Sequence, residues 1–204
     1  FSAVSSASSG PAGALSPTIS LHSRRSRIQP EEAIRRSTQN AWKIVIAMYC
    51  LTSEKIVKSL KQAADAGAEI TIIADWGQVK HASSRIPELA AYSTNIKVFV
   101  VASKTMHLKV MHVEYNDGST AVLSGSFNYS KSATSHEEEI TRNDDPIYCK
   151  NMLKRLCVLV TKKTAKPFDR DALEKYKARR ESADSDVVVV ASSFKGAFSP
   201  TRHP

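Results

Sequence analysis

Residues 43–75, KIVIAMYCLTSEKIVKSLKQAADAGAEITIIAD, decide the fold. Lys43–Tyr49 is short, continuous and apolar, the pattern of a buried strand. Thr52 or Ser53 then caps a helix in which Ile56, Val57, Leu60, Ala63 and Ala64 recur at helical spacing, and Gly67 stops it. Glu69–Asp75 is apolar again and reads as the next strand. Strand, helix and strand in that order make a βαβ unit, so the two strands are expected to run parallel with a right-handed crossover.

Working outward, Pro30 with Glu31 and Glu32 in a first turn predicts a short helix ending near Asn40. Downstream, a helical segment near Ser84–Tyr92 leads to a third strand at Ile96–Val101. His107–Tyr115 and Thr120–Leu123 flank the turn tripeptide Asn116-Asp117-Gly118 and predict a hairpin, so the sheet is mixed. One more strand is expected at 137–142. A last domain helix is expected from Asp145 to about Lys162, with Tyr148, Met152, Leu156 and Leu159 on its inner face. The class is α/β, with a mixed sheet flanked by helices and extended arms at both ends.

The 204 residues, 42% hydrophobic and 24% charged, suffice for one domain of ordinary size and leave no room for two large catalytic lobes. No run approaches the roughly 20 apolar residues of a membrane-spanning helix. The net charge of +9 favours phosphate-rich partners, nucleic acid or anionic phospholipid. Cys50, Cys149 and Cys157 match no zinc or disulfide spacing and read as buried or inert thiols. Residues 1–29 form a low-complexity arm: up to Ile28 it is rich in Ser, Ala, Gly and Pro and lacks Asp and Glu. That flavour is shared by organelle-targeting segments, and a presequence is expected to have been removed before Phe1. Residues 30–162 are the expected domain. Residues 163–204 are expected to hold a charged helix over Asp169–Glu181 and an arm whose Val187 to Val190 suits strand addition to a partner.

The chemistry concentrates in residues 105–133, TMHLKVMHVEYNDGSTAVLSGSFNYSKSA. On a strand, His107 and Lys109 face the same way, with Met111 and Val113 behind them, whereas His112 faces the other way. After the hairpin, Ser124-Gly125-Ser126-Phe127-Asn128 returns a polar turn whose N–H, hydroxyl and amide groups can meet an anion. A nucleophilic nitrogen, a fixed cation and neutral donors are what displacement at a phosphodiester requires, without a metal or a cofactor. His22, His81, His136 and His203 lack partners at metal spacing.

His107-x-Lys109, four residues, an acidic position at Glu114 and then Gly125-Ser126-x-Asn128 resemble the HKD signature of the phospholipase D superfamily. The flanking stretch AMYCLTSEKIVKSLKQAADAGAEITIIAD resembles the strand, helix and strand before the motif in its single-motif members, the bacterial phospholipase D-like endonucleases and the mitochondrial cardiolipin hydrolase/Zucchini group. The resemblance spans roughly residues 30–160. It implies His107 as a nucleophile that forms a phosphohistidine, with Lys109 and Asn128 holding non-bridging oxygens and Ser126 assisting. It also implies Glu139 as a carboxylate orienting a catalytic His, with Glu138 in that place if the register slips by one. The acidic position carries Glu114 where the family has Asp. One motif copy gives half a site, so catalysis implies a homodimer with two His107 side chains across a two-fold axis.

Three roles follow as expectations. The first is an accessory subunit of a large mitochondrial assembly (a respiratory complex, an ATP synthase or a mitoribosome) with the activity vestigial and the arms as docking elements. The alternative is an active homodimeric phosphodiesterase hydrolysing cardiolipin-like phospholipid or single-stranded nucleic acid. The second alternative is a basic nucleic-acid-binding module.

Overall fold

In the computed structural model, residues 19–22, 29–135, 138–162 and 164–181 are described. Eight strands form one mixed sheet: β1 (Ile19–His22), β2 (Ala41–Met48), β3 (Glu69–Asp75), β4 (Ile96–Val101), β5 (Lys109–Tyr115), β6 (Thr120–Gly125), β7 (Glu139–Asn143) and β8 (Ala165–Pro167). Their order is β1-β7-β6-β5-β2-β3-β4-β8. β2, β3 and β4 are parallel, and β5 returns antiparallel beside β2. The βαβ reading therefore holds, with α2 (Glu54–Asp65) as the crossover. Ser53 is its cap, its Oγ accepting from Ile56 N at 3.4 Å and donating to Glu31 Oε1 at 2.5 Å, which ties α2 to α1 (Pro30–Ser37).

Alternation divides the core in two. Ile44, Ile46 and Met48 of β2 point into the larger cluster, covered by α1, α2, α3 (Trp76–Val79) and α4 (Ile86–Ala90). Val45 and Ala47 point to the other face, covered by α5 (Pro146–Thr161). The domain is thus helices, sheet and one long helix in three layers.

Four sequence expectations are corrected. The sheet reaches past residues 30–162 on both sides, because β1 pairs with β7 inside the expected N-terminal arm and β8 pairs with β4 beyond Lys162. These two strands have only four and three residues, too few to show a period of their own, and the sheet edge supplies their order. β5 begins at Lys109 rather than at His107; ahead of it the Leu108 carbonyl accepts from Tyr49 N at 2.9 Å, and Met106 N donates to Asp75 Oδ2 at 2.9 Å. On α5 the buried residues are Cys149 and Leu156, whereas Tyr148 is exposed. Two candidates compete for the inner position at the helix start, and Cys149 takes it, its thiol meeting the Asn143 carbonyl at 3.4 Å. Cys157 is exposed and Cys50 half-buried, so only Cys149 matches a core thiol. A helix α6 (170–181) follows β8; Leu173 is buried, and Tyr176 lies under the Lys80 ammonium at 4.3 Å. The strand expected over Val187 to Val190, and the arms apart from β1, lie outside the described residues.

Ile72 is wholly buried at the centre of β3, with strands on both sides. Ile72→Ala should lower unfolding stability by about 2–5 kcal/mol in urea titrations, against about 0.5 kcal/mol or less for Lys97→Ala on an exposed position of β4.

Candidate active site

Four chain segments meet at the carboxyl ends of β2, β3 and β4, the end of a parallel sheet where crossing connections leave room for a ligand. Tyr49 and Cys50 follow β2. Asp75 ends β3, and Gln78 follows it in α3. Residues 102–108 follow β4 and deliver His107, and β5 starts at the same end with Lys109. The turn after β6 brings Ser126 and Asn128.

His107 is exposed at the mouth, and Lys109 is only 9% exposed beneath it. Lys109 Nζ lies 3.1 Å from His107 Nε2 and 3.2 Å from the His107 carbonyl oxygen. An ammonium has no acceptor, so Nε2 receives the hydrogen bond and the imidazole proton sits on Nδ1. Tyr49 supports both groups. Its ring meets His107 edge-on with centroids 4.6 Å apart, and Lys109 Nζ stands 5.3 Å from its centre. Gln78 Nε2 donates to the Tyr49 hydroxyl at 3.0 Å and fixes the ring. Burial pulls the Lys109 pKa below the ordinary lysine value, while the charges of Glu138 and Cys50 act in the opposite direction.

The loop that carries His107 is held from a distance in sequence. Asp75, 5% exposed, accepts from Gln78 N at 3.1 Å and from Met106 N at 2.9 Å. One carboxylate thereby caps α3 and fixes the backbone next to the imidazole. Asp75, Tyr49 and Gln78 were not singled out by sequence reasoning. The one signal available was Asp75 at a strand end directly before a helical turn, which is N-cap placement.

On the other side, Phe127 and Tyr129 are buried and anchor the turn, leaving Ser126 exposed and Asn128 half-exposed between them. The Tyr129 carbonyl accepts from Thr52 N at 2.8 Å and Ser53 N at 2.9 Å, clamping this turn to the loop after β2. Ser126 N donates to the Glu139 carbonyl at 3.0 Å, and Glu139 N donates to Ser126 Oγ at 2.9 Å. The serine hydroxyl proton is thus left to donate outward. Among the described residues Asn128 Oδ1 is buried without a hydrogen-bond partner. Such an orphan costs about 1–3 kcal/mol.

Strand parity separates the acidic residues. Glu138, Ile140 and Arg142 alternate with Glu139 and Thr141, and Ile140 points into the larger core on the Lys109 side. Glu138 acts electrostatically on Lys109. The Glu139 carboxylate accepts from Thr141 Oγ1 at 3.3 Å on the other side, while its backbone holds the Ser126 turn. Glu114 also faces away from Lys109. It forms an ion pair with Lys43 at 3.4 Å and lines a cleft with His112, whose pKa burial lowers and whose Nδ1 finds no partner among the described residues. Asp-to-Glu at this position leaves the His107 pocket untouched. Among the described residues no cluster of three His, Cys, Asp or Glu side chains stands together as a metal site would.

The family described as cardiolipin synthase, PLD-like domain, matches residues 32–146, more than half of the chain. The chain belongs to this phospholipase D-like family. Its fold resembles NucT from Helicobacter pylori, at 21% identity and TM-score 0.61 over 74% of this chain and 100% of that one. It is similar to Nuc from Salmonella typhimurium, a phospholipase D family member, at 18% identity and TM-score 0.62 over 74% and 97% of the two chains. Polyphosphate kinase from Porphyromonas gingivalis shares the fold at 10% identity and TM-score 0.58, over 71% of this chain and 26% of that one. At these identities the likeness is one of fold. No curated protein matches the chain.

Gly125 allows the turn to sit where it does. A Cβ there would lie 2.1 Å from the Glu139 carbonyl oxygen, which is fixed backbone. Gly125→Ala should lower stability by about 1–3 kcal/mol, as overpacking does, and should move the Ser126 and Asn128 amide resonances while leaving those of α2 in place.

Proposed function

We propose that the chain is one half of a phospholipase D-type phosphodiesterase and that the working enzyme is a homodimer. The observation that carries this reading is His107 Nε2 held 3.1 Å from the nearly buried Lys109 Nζ. A phosphodiester whose anionic oxygens lie against Lys109, Ser126 and the Asn128 amide presents phosphorus to Nε2. The Nε2 lone pair forms the N–P bond as the P–O bond to the leaving group breaks, and the second copy's His107, turned away from its own Lys109 and protonated on Nε2 from solvent, gives that oxygen its proton. Water then attacks phosphorus, its proton returns to the second imidazole, and the N–P bond breaks. The site recognises the phosphodiester itself, which lipid and single-stranded nucleic-acid substrates share.

A mitochondrial location is supported by the Ser- and Arg-rich, acid-free composition of residues 1–28. The same composition supports the second reading, an accessory subunit of a mitochondrial assembly. Native mass separates the two: a dimer near twice 22.4 kDa favours the enzyme, and co-purification at very high mass without dimer favours the subunit.

With bis(p-nitrophenyl) phosphate as substrate, His107→Asn should reduce turnover by about 10²–10⁴-fold or more, and the wild-type chain should accumulate a base-stable, acid-labile phosphohistidine. Equal turnover by wild type and His107→Asn would overturn the assignment. The rate should also fall on a basic limb below the ordinary lysine range, because burial lowers the Lys109 pKa. Glu138 opposes that lowering, so Glu138→Gln should move the limb to still lower pH. Glu139→Gln should leave the limb in place.

A further inference from the structure

Helix α5 covers one face of the sheet through Cys149, Leu156 and the partly buried Met152, Leu153, Leu159 and Val160. Its outer half is differently built. From Pro146 to Lys163 the sequence contains no Asp or Glu, and Lys150, Lys154, Arg155 and Lys162 are exposed. Among the described residues none of the four is in an ion pair. Ile147, 72% exposed, and Val158, 37% exposed, sit three helical turns apart on the most outward line of the helix. At 3.6 residues per turn, Lys150 and Lys154 flank that line on one side and Arg155 and Lys162 on the other. By contrast, α1 answers Arg35 and Arg36 with Glu32, and α6 sets Glu174 beside Lys177.

Unpaired cations around two outward apolar side chains, with no acid among them, are the arrangement of a helix lying in a bilayer interface. The cations meet lipid phosphates, and Ile147 and Val158 enter the boundary between headgroups and acyl chains. A nucleic acid would engage the cations but would leave Ile147 and Val158 against water or phosphate. We propose that the outer face of α5 docks the protein on a bilayer carrying anionic phospholipid. This is peripheral attachment, since no described helix is long and apolar enough to cross a membrane. It does not depend on the phosphodiesterase reading.

The test is sedimentation of the full chain with vesicles of phosphatidylcholine and phosphatidylglycerol at a ratio of about two to one, against phosphatidylcholine alone. Binding should require phosphatidylglycerol, and K154E/R155E should weaken it at least about tenfold. I147S/V158S should weaken it several-fold, while K58E/K175E, exposed positions on α2 and α6, should stay within about threefold of wild type. Binding without dependence on phosphatidylglycerol, or an equal fall in K154E/R155E and K58E/K175E, overturns the proposal. So does insensitivity to I147S/V158S, with a single-stranded oligonucleotide displacing the vesicles marking nucleic acid as the occupant. A second measurement avoids charge variants: in C50S, a polarity-sensitive fluorophore on the exposed Cys157 of the same helix should brighten on phosphatidylglycerol vesicles. An unchanged signal refutes α5 as the docking face.

Discussion

An ammonium nearly removed from water at the end of an apolar sheet is the constraint around which the site is arranged. Lys109 opens β5 with Met48 as its cross-strand partner, and the next residues on its face, Met111 and Val113, belong to the core. Such a group is costly to bury unless its donors and its charge are met. Here its donors reach His107 Nε2 and the His107 carbonyl, its charge is offset by Glu138, and the face of Tyr49 lies below it. The compensating groups come from three different segments. Meeting the cost of one lysine therefore assembles the loop after β2, the loop after β4 and the approach to β7 into one place.

Much of this order is legible in the sequence, for reasons that differ by element. The apolar runs of β2, β3 and β4 are strands buried on both faces, and their pattern needs no partner to be recognised. The turn at Asn116-Asp117-Gly118 fixes the β5–β6 hairpin, with Gly118 taking φ +83°. β1 and β8 are not legible because a three- or four-residue edge strand is ordered by its neighbour rather than by its own pattern. The setting of His107 is not legible for a similar reason, since the bond from Met106 N to Asp75 joins residues 31 apart in sequence. Spacing brought His107 and Lys109 together on one side, and the hydrogen-bonded geometry came from a tertiary contact that no local pattern contains.

The acidic residues show how far strand parity reaches. Gap-free counting selects Glu139, whose carboxylate accepts from Thr141 Oγ1, while Glu138, just ahead of β7, acts electrostatically on Lys109. One residue of register exchanges the two faces of a sheet, so counting along a loop of uncertain length cannot choose between neighbours that differ by one. Glu114 is settled by the same rule. It lies an odd number of residues from Lys109 on one strand, hence on the opposite face, where Lys43 receives its charge. An extra methylene there is accommodated far from the imidazole.

The pairing of Lys109 with Nε2 also orders the events of the proposed reaction. The Lys109 ammonium stands 3.1 Å from the Nε2 whose lone pair attacks phosphorus in that proposal. An anionic phosphodiester oxygen is a stronger acceptor than a neutral imidazole, because both partners of the new bond are charged. In that proposed reaction the ammonium would turn toward the entering oxygen and so release Nε2 beside the phosphorus. The Nδ1 proton stays in place throughout, so the imidazole keeps the tautomer the attack requires. On that proposal one cation would first mask the nucleophile, then expose it, and then hold the charge that develops on the phosphoryl oxygens.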